Sequence, residues 1–353
     1  MFMHAITHWV DGRVTEVRVE QRITGVFDAV ESAMSLLSVR DLVKYFDVSG
    51  GAVRRLLYGP RTIKAVDGVS FDVAKGETIG LVGESGSGKS TTARLIARLL
   101  PVKSGEVFLS GRDILKASTS EMKALRKDIQ FVFQDPFSSL NPRMRTEVTI
   151  GRALTVHFGL RGKARRERVV QLLEQVGLSS QHLERYPHEF SGGQRQRIAI
   201  ARALATEPSL ILADEPVSSL DVSIQAQVLA LLQDLRTKLQ LTMVFITHDL
   251  NVAEFVSDRI AVMYGGKIME EGPADVVMQR PLHPYTQALL DTRPRIGRAG
   301  QLRPLEGEPA VPLNPGPGCR FASRCPRRVG TCTEQSIPLV VKGNGHSVAC
   351  IRA

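Results

Sequence analysis

The chain is poor in aromatic residues (5%) and holds a single tryptophan. It has no uninterrupted apolar run of about 18 residues, so no transmembrane helix is encoded. Its start, MFMHAITHWVDGR, lacks a basic region followed by an apolar stretch. No secretory signal is read there, and the chain is expected to stay in the cytosol. Cysteine is missing until residue 319, and all four follow: Cys319, Cys325, Cys332 and Cys350. A cytosolic protein rarely keeps structural disulfides, so this cluster reads first as a metal site. Acidic residues are in deficit, 36 against 46 Lys+Arg, giving a formal net charge of +10. That balance suits nucleic acid or an anionic membrane face, and charge alone does not choose. With 43% hydrophobic and 23% charged residues, the composition excludes a disordered or fibrous chain. The length allows one large domain with an appendage, or two domains.

Residues 1–33 show no clear pattern and are set apart as an N-terminal extension. From Met34, MSLLSVRDLVKYF begins a strand-like alternation. Between about 35 and 270, short apolar runs alternate with helical stretches. TIGLVG (78–83), LILAD (210–214) and MVFITHD (243–249) read as buried strands. GKSTTARLIARLL (88–100) and QVLALLQDLRTKL (227–239) read as amphipathic helices. Buried strands joined by helices imply a parallel or mixed sheet covered on both faces. Residues 145–190 carry helix signal and no strand signal, as a helical subdomain inserted in the sheet domain. Residues 293–328 hold seven prolines, eight arginines and only two acids, which reads as an extended linker into the cysteine segment.

Gly83-Glu84-Ser85-Gly86-Ser87-Gly88-Lys89-Ser90 fits G-x-x-x-x-G-K-[ST], after an apolar strand and before a helix that continues with Thr91. Glycines let backbone N–H groups turn inward around phosphates. The following helix points its positive end at the same anion. Lys89 can reach the β- and γ-phosphates, and the Ser90 hydroxyl can ligate Mg²⁺. Asp214 and Glu215 end the LILAD strand, where the first carboxylate can hold Mg²⁺ and the second can polarise an attacking water.

Between these elements lies Phe190-Ser-Gly-Gly-Gln-Arg-Gln-Arg197. With it the chain resembles the nucleotide-binding subunit of an ABC transporter, over about residues 35–292. Ser191, Gly192, Gly193 and Gln194 resemble the family signature, and Gln134 in FVFQDPFSSLNP resembles the Q-loop glutamine. Ser219, Leu220 and Asp221 resemble the D-loop, and His248 in ITHD the switch histidine. Tyr45 in LVKYF sits where the family places an adenine-stacking aromatic, although Phe46 is adjacent and either ring can stack on a base. The resemblance implies a head-to-tail dimer, with ATP between one chain's phosphate loop and the partner's signature. It also implies Mg²⁺ set by Ser90, Gln134 and Asp214.

His283-Pro-Tyr285, in RPLHPYTQALL, resembles the segment that follows the ATPase domain in oligopeptide/dipeptide importer ATPases. Gly318-Cys-Arg-Phe-Ala-Ser-Arg-Cys-Pro326 resembles the cysteine motif of the same group. Four thiolates suit zinc or an iron–sulfur cluster, and the resemblance implies a 4Fe–4S cluster on Cys319, Cys325, Cys332 and Cys350. His346 is read as a surface loop residue rather than a spare ligand. Arg161, Arg165, Arg166 and Arg168 read as a solvated helix face, with an anionic leaflet as the alternative.

The expected fold is α/β: a P-loop ABC-type ATPase core with an antiparallel β flank, the helical insertion and a small cysteine-bearing C-terminal appendage. The expected division is 1–33, 34–292 and 293–353. The implied activity is ATP hydrolysis driving import of di- or oligopeptides across the cytoplasmic membrane. The implied partners are a second ATPase subunit, two transmembrane permease subunits and an extracytoplasmic substrate-binding protein. The implied place is the cytoplasmic face of the inner membrane. Nickel or sugar cargo is the nearest alternative. The more distant one is a soluble ABC ATPase acting on nucleic acid or ribosomes; the single cassette and the tail speak against it, and no nucleic-acid partner is expected.

Overall fold

The computed structural model describes residues 9–10, 13–14, 35–50, 55, 59–292 and 313–353. Trp9–Val10 pairs with Arg13–Val14; the rest of the 1–33 extension lies outside the described residues, as do 293–312 of the proline-rich stretch.

The chain runs through β1 (Ser35–Asp47), β2 (Thr62–Ala74) and β3 (Thr78–Val82). There follow α1 (Lys89–Ile96), β4 (Ser104–Leu109), β5 (Arg112–Asp113), α2 (Thr119–Asp128) and β6 (Ile129–Val132). Next come the helices α3 (Thr146–Phe158), α4 (Gly162–Gln175) and α5 (Gly192–Leu204). Strand and helix then alternate: β7 (Leu210–Asp214), α6 (Val222–Leu239), β8 (Thr242–Thr247), α7 (Leu250–Val256) and β9 (Arg259–Tyr264). β10 (Lys267–Pro273), α8 (Ala274–Gln279) and α9 (Pro284–Asp291) lead to the tail strands β11 (Val340–Gly343) and β12 (His346–Val348).

The main sheet has the order β11-β12-β10-β9-β3-β8-β7-β6. β9, β3, β8, β7 and β6 are parallel. β3, β7 and β8 are buried throughout, as their unbroken apolar sequences require. A second, fully antiparallel sheet has the order β2-β1-β4-β5. Leu37, Val39, Val66 and Val69 of that sheet share one core with Ile79, Leu81, Leu95 and Ile96. A second core on the other face joins Phe245 and Ile211 to α5 and α6 and to Ile150, Leu154 and Leu172 of the helical insertion. The α/β core, the antiparallel flank and the helical insertion are as expected.

Helix ends differ from the sequence reading. α1 stops at Ile96 rather than about 100, because Arg98 turns into the left-handed region (φ 51°). α6 starts five residues earlier than the apolar pattern suggested, directly after Asp221. Three of the four arginines read as a helix face are paired, while Arg161 is exposed. Arg165 and Arg166 pair with Glu147, Arg166 also with Glu184, and Arg168 with Glu207. Exposed pairs of this kind contribute little stability, but they satisfy the charge locally instead of leaving it for a leaflet.

The tail is built into the ATPase core. β12 extends the main sheet against β10, with Glu270 opposite Val348 and Glu271 opposite Ser347. Phe321 is fully buried among Tyr264 and Tyr285, with ring centroids 5.4 and 5.3 Å away. Burying one such ring contributes roughly 1.5–3 kcal/mol. His346 is not a surface loop residue: it is 5% exposed, and its Nε2 lies 2.7 Å from Oε1 of the buried Glu270. Glu270 also accepts from the backbone N–H groups of Leu282 and His283, so one carboxylate ties the tail strand to the His-Pro-Tyr turn.

Candidate functional site

The phosphate loop turns from β3 into α1. Gly88 has φ 107°, and a Cβ there would stand 2.2 Å from the carbonyl oxygen of Ala65, so only glycine fits. Lys89 is 4% exposed. Its Nζ donates to the carbonyls of Gly83 (2.7 Å) and Glu84 (2.9 Å) and to Ser87 Oγ (3.3 Å). Burial pulls its pKa down to about 8, against the opposing pull of Glu215, Asp214 and Glu84. Ser90 Oγ donates to Asp214 Oδ1 at 2.6 Å. Asp214 is buried, and that desolvation raises its carboxyl pKa, while Ser90 and Arg94 act in the opposite direction.

Glu215 stands at the end of β7 with φ 46°, an uncommon conformation for a non-glycine residue. Its N–H donates to Ile246 O at 3.0 Å, which holds the turn. The turn aims the side chain at two others: Gln134 Nε2 donates to Glu215 Oε2 at 3.0 Å, and His248 Nδ1 lies 3.3 Å from the same oxygen. Strain of this kind is concentrated at functional positions. Glu84, Ser85, Gly86, Gly88, Lys89, Ser90, Thr91, Gln134, Glu215 and His248 line one cleft of about 870 Å³, with Leu289 and Thr292 from α9 at its edge. The residues read from separate motifs are thus brought together. Hydroxyl, carboxylate and carboxamide oxygens on Ser90, Asp214 and Gln134 are hard donors of the kind that would hold Mg²⁺.

Tyr45 stands outside the cleft lining. Its hydroxyl donates to Asp67 Oδ1, and Lys103 Nζ lies 4.1 Å from its ring centroid. Burial, then the bond to Asp67, pushes its pKa up to about 12. Phe46 is more exposed. The signature residues also lie outside the cleft. Ser191 Oγ accepts from Gln194 N–H, and Gln194 Oε1 accepts from Ser191 N–H, a reciprocal cap on α5. A Cβ on Gly193 would stand 2.4 Å from Ile224 Cγ2, and one on Gly192 3.2 Å from Leu220 Cδ2. The signature therefore packs directly on the D-loop, where Ser219 and Asp221 are exposed.

The iron–sulfur expectation is overturned. Among the described residues, no group of three or more His, Cys, Asp or Glu side chains is placed to hold a metal ion, so neither the cluster nor zinc is supported. The cysteines serve other contacts. Cys319 N–H donates to Cys332 O at 2.8 Å, and Cys319 Sγ lies 3.9 Å from His283 Nε2. Burial pushes the Cys319 thiol up to about 11 and raises Cys325 as well, with the neighbouring thiols acting in the same direction. Cys332 is buried, and Cys350 Sγ accepts from Arg352 N–H at 3.4 Å. The tail is held instead by its docking on the ATPase core.

The roles of Arg320, Arg324 and Asp67 escaped the sequence reading. Glu84 N–H donates to Tyr285 Oη at 2.9 Å. Arg324 pairs with the Glu84 carboxylate through Nη1 at 2.7 Å and Nη2 at 3.1 Å. Arg320 pairs with Asp67, which also takes the Tyr45 hydroxyl. The only sequence signal was the four-residue spacing of the two arginines inside the cysteine motif.

The model of the ABC transporter family matches residues 66–218, and that of the oligopeptide/dipeptide transporter C-terminal region matches 269–332. The chain is 46% identical to the dipeptide transport ATP-binding protein DppF of Escherichia coli (strain K12), over 89% of this chain and 93% of that protein. It is 47% identical to the oligopeptide transport ATP-binding protein AppF of Bacillus subtilis (strain 168), over 90% of this chain and 97% of that one. Among solved structures it resembles the dimeric post-hydrolysis state of the ATP-binding cassette MJ0796 bound to ADP and Pi. That match has a TM-score of 0.58 and 31% identity, over 67% of this chain and 98% of that one. The chain is an ATPase that belongs to the ABC transporter family, in its oligopeptide/dipeptide branch.

Proposed function

We propose that this ATPase powers uptake of di- or oligopeptides through a membrane complex, working as one of two ATPase subunits. The observation that carries the reading is the meeting of Gln134 and His248 on Glu215, in the cleft lined by Lys89 and by Ser90, which holds Asp214. Lys89 and the loop amides hold the phosphates of ATP, and Tyr45 offers its ring to the adenine. Ser90, Gln134 and Asp214 hold Mg²⁺, which when bound neutralises charge on the β- and γ-phosphates. Glu215 orients the attacking water, and His248 contacts the γ-phosphate. Ser191–Gln194 serve the nucleotide of the partner subunit, which is supported by their distance from the chain's own cleft and by the dimeric form of the MJ0796 cassette.

No described helix is long and apolar enough to cross a membrane, so translocation falls to permease subunits. The exposed Phe137, within the Gln134–Arg145 segment, and Val148, just after it, offer them an apolar seat on the cytoplasmic face of the inner membrane. An extracytoplasmic binding protein delivers the cargo. Peptide cargo is supported by the named roles of DppF and AppF. The test is uptake by proteoliposomes holding the whole complex with ATP inside. Labelled dipeptide should accumulate, and neither nickel nor sugar should compete. Uptake of labelled nickel or sugar, with no peptide uptake, would replace the cargo and leave the ATPase reading intact.

A further inference from the structure

The Cys319–Cys325 segment sends one arginine to the phosphate loop and another to Asp67, the partner of Tyr45. Arg324 is buried, with its side chain 6% exposed, and its fork closes on both oxygens of Glu84. Its Nη1 also donates to Tyr264 Oη at 3.2 Å. Glu84 is the second residue of the phosphate loop and lines the cleft beside Lys89. A carboxylate there repels a triphosphate unless it is neutralised. The bidentate pair supplies the neutralisation. Tyr285 adds a third tie, accepting the N–H of Glu84. Four residues before Arg324, the buried Arg320 holds Asp67, and Asp67 in turn accepts the Tyr45 hydroxyl. Phe321, between the arginines, is locked among Tyr264 and Tyr285, so both arms leave one rigid support.

We infer that the C-terminal segment is a positioning device for ATP: Arg324 with Tyr285 sets the phosphate loop through Glu84, and Arg320 sets the adenine platform through Asp67 and Tyr45. The inference rests on the reading of the cleft as the ATP site. It makes the tail part of the nucleotide site, although its sequence contains no ATP motif. These are positioning residues, since none of them is placed to touch the reacting atoms.

The two arms predict different losses. The full-length chain is titrated with Mg-ATP and with inorganic tripolyphosphate, which has no base. Arg324→Met should weaken both ligands roughly tenfold, because the Glu84 charge is released toward the phosphates. In a Glu84→Gln background the same change should cost less than about twofold, since no charge is left to release. Arg320→Met should weaken ATP severalfold and leave tripolyphosphate within about twofold. If Arg324→Met does not fold, Arg324→Lys and Tyr285→Phe take its place, each expected to weaken both ligands by roughly threefold. Equal losses of ATP and tripolyphosphate for both arginines would overturn the inference and reduce the tail to a structural prop. A full Arg324→Met effect in the Glu84→Gln background would overturn it too. Lys89→Ala serves as the reference. If it binds tripolyphosphate normally, the phosphate-site reading itself falls, and this inference with it; if it loses tripolyphosphate while the arginine variants behave like wild type, only the positioning role falls.

Discussion

Burial of Lys89 makes ATP affinity depend on pH with a definite sign. In the chain without nucleotide the ammonium is desolvated, and its pKa is down to about 8. A bound triphosphate restores the charged form, so binding above that pH must draw a proton from solution. About three quarters of Lys89 is charged at pH 7.5 and about one tenth at pH 9, so the apparent Kd for ATP should rise roughly eightfold across that range. Near pH 8, about half a proton should be taken up per ATP bound. Calorimetry in buffers of different ionisation heat measures the uptake directly. Lys89→Arg should flatten the dependence, because a guanidinium stays charged throughout. Stability runs the other way. The unfolded lysine titrates near its ordinary value of 10.5. Between about 8 and 10.5 the unfolded state binds more protons, so the nucleotide-free fold gains stability as pH rises through that window. An affinity that stays flat from pH 7.5 to 9, with no proton uptake, would refute the idea that a desolvated Lys89 is the group meeting the phosphates.

Glu215→Gln should keep ATP affinity within a few-fold while turnover falls by roughly a hundredfold or more, measured by phosphate release; near-normal turnover would remove Glu215 from its role. Gly193→Ala should destabilise the chain by about 1–3 kcal/mol, because its methyl enters the space of Ile224; in mixed dimers the hydrolytic defect should appear at the loop of the unmutated chain. Phe321→Ala should cost about 3–5 kcal/mol in a denaturant titration, by opening a cavity beside Tyr264 and Tyr285, and an unchanged midpoint would show that the tail is not anchored there.

The sequence by itself determined the ATPase core. Each ATP motif is a short contiguous stretch, and its chemistry dictates residue types locally: glycine where the backbone takes a positive φ at Gly88, and a carboxylate pair at the end of a buried strand. Unbroken apolar runs marked β3, β7 and β8 because both of their faces are covered. The helical insertion was legible for the same reason, as a long stretch with helix signal and none for strands. The tail was not. Its two strands, Val340–Gly343 and His346–Val348, are too short to show a period. Four cysteines close in sequence suggested four metal ligands; their thiols do come near enough to act on one another's charge, but among the described residues no group is placed to hold a metal ion. Arg324 finds Glu84 across 240 residues, and Arg320 finds Asp67 across 253. Which buried charge meets which depends on the faces that pack together. Only the docking of Phe321 beside Tyr285, and of β12 along β10, decided that the tail would reach the nucleotide site.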